Sequence, residues 1–107
     1  MSTMEHKAKK LVIITEKVIL EGVTKIIEGC GATGYTITSA SGKGSRGVRS
    51  SDRDSLTDAY ANVKIEIIVG KSELADEIAE KVAAKYFANY SGITYAQDVE
   101  ILRPTKF

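Results

Sequence analysis

The sequence predicts an α+β fold of the ferredoxin-like kind, a βαββαβ antiparallel sheet with two helices on one face. Three observations predict it. A continuous β-branched run, "KLVIIT", is followed by an apolar repeat at helical spacing. An alternating run, "NVKIEIIV", is followed by a second helical repeat. Each pair is completed by a further strand-like segment, so the chain reads as two βαβ units in tandem.

The elements follow in order. Lys10 to Thr15 is apolar on both faces and therefore belongs in the middle of a sheet. Thr15 is placed to cap a helix over Glu16 to Gly29, where Ile19, Val23, Ile26 and Ile27 share one face and Glu21, Lys25 and Glu28 the other. Gly29, Gly31 and Gly34 stop the helix and turn the chain. In "GYTITSAS", Tyr35, Ile37 and Ser39 alternate with Thr36 and Thr38, which gives a strand with one hydroxyl-bearing face. Val63, Ile65, Ile67 and Val69 alternate with Lys64 and Glu66 in a third strand. Ser72 offers the next N-cap, followed by a stripe of Leu74, Ala75, Ile78, Ala79, Val82, Ala83 and Tyr86, with Glu77 and Lys81 paired outside. The helix ends near "NYSGI", and "ITYAQDVEIL" is the last strand before Pro104. Such a fold leaves one sheet face bare, and copies of the chain closing into a cyclic oligomer are the usual cover.

Composition bounds the function. With 107 residues, residues 1–107 form one domain, and 43% hydrophobic with 27% charged residues is ordinary for a globular chain. No apolar run approaches the roughly 18 residues of a membrane span, and "MSTMEHKAKK" lacks the apolar core of a secretory signal, which places the chain in the cytoplasm. The lone Cys30 permits no internal disulfide or thiolate cluster and reads as a small buried residue. A net charge of +1 carries no global field for nucleic acid.

The segment "SASGKGSRGVRSSDRDSLTDAYAN" has neither period, although connections in compact domains usually run about 4–6 residues. Within it "GKGSRG" matches G-x-G-x-x-G, but no helix follows to face a pyrophosphate, and no Ser or Thr follows the lysine as in a Walker A loop. The chemistry that survives is anion binding: Gly42, Gly44 and Gly47 let backbone N–H groups approach, Arg46 and Arg49 can each grip phosphate bidentately, and Lys43 adds a point charge. A solvated surface loop fits the same composition. An RNA-binding finger lacks the interleaved aromatics that stack bases. Asp52, Asp54 and Asp58 can hold Mg²⁺ against a polyphosphate or form a mixed-charge solvated stretch. No catalytic set is visible: His6 lies in a frayed terminus, and Cys30 lacks an activating partner. Tyr86, Phe87 and Tyr90 read as core or interface aromatics.

Taken together, "KLVIITEKVILEGVTKIIEGCGATGYTI", "GKGSRGVRSS", "ANVKIEIIV" and "AEKVAAKYFANYSGITY" resemble the SbtB group of PII-like signalling proteins of cyanobacteria over nearly the whole chain. The resemblance implies a PII-like homotrimer whose T-loop spans about 41–61, with adenine nucleotides (AMP, cAMP, ADP, ATP, and cyclic di-AMP in some members) bound in subunit clefts. It implies nucleotide-binding roles for Gly34, Tyr35 and Thr36 at the adenine and ribose, for Lys43, Gly44, Ser45, Arg46 and Arg49 at the phosphate, and for Ser91, Gly92 and Ile93 around the base. It further implies Mg²⁺ or Ca²⁺ accompanying ATP, no catalytic role, no nucleic-acid partner, and control of the sodium-dependent bicarbonate transporter SbtA at the inner face of the plasma membrane, within the carbon-concentrating mechanism. One departure is plain: the chain ends in "ILRPTKF", without the two-cysteine tail tied in many members to redox control and slow nucleotide hydrolysis. A nucleotide hydrolase and a nucleic-acid module are the rival readings.

Overall fold

A computed structural model of the chain describes residues 6–41 and 61–102. Strand β1 (His6–Glu16) leads through a 3₁₀ turn (Lys17–Ile19) into helix α1 (Leu20–Gly29); then come β2 (Thr36–Ala40), β3 (Asn62–Val69), helix α2 (Ser72–Tyr86) and β4 (Gly92–Ile101). The sheet order is β2-β3-β1-β4, and all three pairings are antiparallel. This is the ferredoxin-like α+β arrangement expected from the element order.

The apolar runs place β1 and β3 in the middle. Leu11, Ile13, Val63, Ile65, Ile67 and Val69 line one face and meet Ile19, Val23 and Ile27 of the first helical segment and Ala75, Ile78 and Val82 of α2. Burying such side chains contributes roughly 1.5–3 kcal/mol each, so this layer is what closes the domain's two βαβ halves on each other. Among the described residues, no helix lies over the opposite face. On it, residues in register form two stripes: Val12 with Tyr95 and Ile14 with Ile93 on the β1–β4 side, Thr36 with Glu66 and Thr38 with Lys64 on the β2–β3 side. Lys64 Nζ lies 3.3 Å from Glu66 Oε2 there, while Ile93 is 59% and Tyr95 42% exposed.

Several local expectations are corrected. Strand β1 extends at both ends, and His6, expected in a frayed terminus, pairs with Ile101. Thr15 is no helix cap: it lies inside β1, and the helix begins five residues later because Lys17–Ile19 form a tighter turn first. Ser72 is the first residue of α2 and not its cap; Lys71 stands at the cap position without a side-chain bond. Helix α2 stops at Tyr86, four residues before Tyr90, and the chain turns through bonds from Asn89 and Tyr90 N–H to the Tyr86 carbonyl. The end of α1 follows expectation, with Gly31 at φ +99°, a conformation that L side chains rarely adopt. Cys30, beside it, is half-buried against the core.

Candidate functional site

The chain leaves β2 at Ala40 and re-enters β3 at Asn62, so both roots of the connecting segment lie at one end of the sheet. The last residues of the central strand reach this end, because Glu16 is in register with Asn62. So does the turn before β4, because Thr15 is in register with Gly92. Three short hydrogen bonds knit these pieces. Thr15 Oγ1 donates to the Ser91 carbonyl (2.6 Å), Ser91 N–H donates to Glu16 Oε2 (2.7 Å), and Lys17 N–H donates to the Ala61 carbonyl (2.6 Å). A carboxylate acceptor makes the second bond one of the stronger kind.

Ser91 is 5% exposed, its backbone is held from both sides, and its Oγ has no partner among the described residues; neither has Thr94 Oγ1, also buried. Buried hydroxyls are normally paired, so each such exception calls for a reason. Gly92 packs so closely on the Phe87 ring that a Cβ would overlap it. Ile93, next along, points to the open face with most of its surface free.

Of the other predicted site residues, Tyr35 is half-buried against the core, and its hydroxyl donates to Glu28 Oε2 at 2.7 Å. That hydrogen bond pushes the phenol pKa up from its ordinary value. Gly34 and Thr36 are exposed, Thr36 in register with Glu66 on the open face. Within one chain the two groups do not meet. Gly34, Tyr35 and Thr36 lie along the β2 edge; Ser91, Gly92 and Ile93 lie at the β4 edge, three strand spacings or about 14 Å across the sheet. Lys43, Gly44, Ser45, Arg46 and Arg49, the proposed phosphate contacts, lie outside the described residues, as do Asp52, Asp54 and Asp58. Among the described residues, no three His, Cys, Asp or Glu side chains converge to hold a metal ion, and no helix is long and apolar enough to cross a membrane.

Sequence reasoning missed Thr15, Glu16 and Thr94. Thr15 and Glu16 close an apolar run just where a helix cap would stand, and their partner Ser91 is 76 and 75 residues away, so no local pattern signals it.

The profile of the nitrogen regulatory protein P-II family matches residues 8–106. The chain belongs to the PII family. Among solved PII-like structures, a signaling protein from Thermus thermophilus shares 33% identity over 94% of this chain and 95% of its own, with a TM-score of 0.76. CPII from Thiomonas intermedia, bound to ADP, AMP and bicarbonate, shares 31% identity over 94% and 93%, with a TM-score of 0.75. The same CPII bound to ADP and bicarbonate gives 33% identity over 94% of each chain and a TM-score of 0.76. The PII fold extends to the GlnK–ATP complex of B. subtilis at 21% identity and a TM-score of 0.60.

Proposed function

We propose that the chain is a PII-like signal-transduction regulator, a single domain over residues 1–107, that binds AMP, cAMP, ADP and ATP in clefts between the subunits of a homotrimer. The observation that carries the reading is the likeness to CPII, which holds ADP and AMP, at 31–33% identity over 94% of this chain. Two features of the structure support it. The residues assigned to the base and ribose fall on opposite edges of the sheet, which is what a cleft built by two neighbours requires. Ile93 and Tyr95 leave apolar surface on the face without helices, ready for another copy to cover. In this reading Gly34, Tyr35 and Thr36 of one subunit face Ser91, Gly92 and Ile93 of the next. Lys43, Arg46 and Arg49 bring charge to the phosphates and Gly44 and Ser45 bring hydrogen-bond donors, with Mg²⁺ or Ca²⁺ accompanying ATP.

The output is a T-loop at about 41–61 that changes the surface offered to a membrane partner, the sodium-dependent bicarbonate transporter SbtA. The protein itself is cytoplasmic and recruited to the inner membrane face, acts without catalysis, and does not bind nucleic acid. The resemblance of "GKGSRGVRSS" and "KYFANYSGITY" to the SbtB group supports this finer assignment. Calorimetric titration of AMP, cAMP, ADP and ATP tests the first half: micromolar binding is expected, and no heat from any of them at millimolar concentration overturns it. Arg46→Ala should weaken binding by about 2–3 kcal/mol, the worth of a charge-assisted bidentate contact; unchanged affinity removes Arg46 from the site. Nucleotide-dependent co-purification with SbtA-containing membranes tests the second half.

A further inference from the structure

We infer that Glu16 is a positioning residue that couples the turn at Ser91–Ile93 to the root of the segment following β2, so that a ligand held at the turn is felt at Ala61 and Asn62. The inference rests on the nucleotide-binding reading above and adds to it the joint through which occupancy is passed on. Its basis is the arrangement at the end of β1. Three consecutive residues each hold something different: Thr15 holds the Ser91 carbonyl, Glu16 holds the Ser91 N–H, and Lys17 holds the Ala61 carbonyl. The turn and the segment root are thus fastened to three successive residues where β1 passes into the 3₁₀ turn.

That strand does not yield. It pairs on both sides, with β3 through Lys9–Glu16 and with β4 through His6–Thr15, and Val12 and Ile13 on its two faces have no exposed surface. A shift of Ser91 is therefore not dissipated into the sheet and must be taken up where the strand ends at Glu16 and passes into the 3₁₀ turn at Lys17. Glu16 is also in register with Asn62, which is 5% exposed, so movement of its side chain is opposed on the other flank by a residue without room. Ser91 supplies the input: its backbone is clamped from both sides, so a group that displaces the turn pulls directly on Thr15 and Glu16. The joint depends on an acceptor oxygen at position 16 and not on its charge as such.

The test follows amide hydrogen exchange at Lys17, Asn62 and Ser91 in the full chain, with and without saturating ADP, for wild type, Glu16→Met and Glu16→Gln. Methionine keeps the length and removes the acceptor; glutamine keeps an acceptor. In wild type, ADP should slow exchange at all three amides. In Glu16→Met, Ser91 should exchange about tenfold faster without ligand, since a bond of about 1.4 kcal/mol is lost. ADP should still bind within about tenfold of wild type, yet no longer protect Lys17 and Asn62. Glu16→Gln should restore that protection. A Glu16→Met protein that transmits protection to Lys17 and Asn62 as wild type does, or a Glu16→Gln protein that fails to restore it, overturns the coupling and leaves the binding reading standing. Absence of ADP binding by wild type overturns both.

Discussion

At Gly92 the chain has no room for a methyl group, because a Cβ there would fall on Cε1 and Cζ of the Phe87 ring. Gly92→Ala should therefore cost about 1–3 kcal/mol, the usual penalty of overpacking, and Phe87→Leu in the same chain should recover part of it; urea denaturation midpoints measure both. Cys30 illustrates a different control. Burial first, and then the Glu77 carboxylate, push its thiol pKa up, against the opposing pull of Lys81. It should react with iodoacetamide more slowly than free cysteine at pH 8, and Glu77→Gln should quicken it; a rate above that of free cysteine would contradict the assignment. The Lys9 ammonium, 2.6 Å from Asp98 Oδ1, holds that carboxyl below the usual aspartate range. A depressed folded-state pKa means stability fully present above the ordinary aspartate value and lost as pH falls through the lowered one. Lys9→Met should flatten the acid side of the thermal-midpoint profile over that window, to a small extent because the carboxylate is solvent-exposed.

Among the elements, α1 owes its sharp end to Gly31, whose φ of +99° lets the chain turn after Cys30. Gly31→Ala should destabilise by about 1 kcal/mol or more, since alanine cannot take that conformation without strain, and the loss should show in the thermal midpoint without altering exchange in β4. The body of helix α2 is legible as a stripe because its buried residues, Ala75, Ile78 and Val82, repeat at helical spacing, whereas neither of its ends falls where the sequence places it. Strand β4 is the reverse case. Most of its residues are exposed, and it stands at an edge of the sheet, fixed by pairing with β1 and not by a buried face of its own. An edge strand of this length ordinarily needs protection, and Asp98 and Glu100 on it supply charge.

For the whole molecule, the face without helices is decisive. Val12 is fully buried by its neighbours in the sheet, whereas Ile93 and Tyr95 beside it are 59% and 42% exposed. If the proposed homotrimer covers this surface, the double substitution Ile93→Lys and Tyr95→Lys should give a monomer by light scattering and abolish ADP binding with it. A variant that remains trimeric would move the interface elsewhere. Loss of the trimer with ADP affinity retained would instead refute a cleft made by two subunits.

The order and kind of the main elements are written in local pattern, because burial on one face of a helix or strand imposes a period that neighbouring residues must obey. The chemistry on offer is written there too, since glycine, lysine and arginine in "GKGSRGVR" carry their backbone freedom and charge wherever they lie. Which residues meet, in contrast, is settled by the folded chain alone. The bonds from Thr15 and Glu16 to Ser91, and the three-strand separation of Tyr35 from Gly92, arise from strand order, and strand order is set by long-range pairing that leaves no mark on neighbouring residues. Thr15 could be misread as a helix cap for the same reason: a threonine hydroxyl needs one partner, and the sequence does not say whether that partner is two residues away or 76.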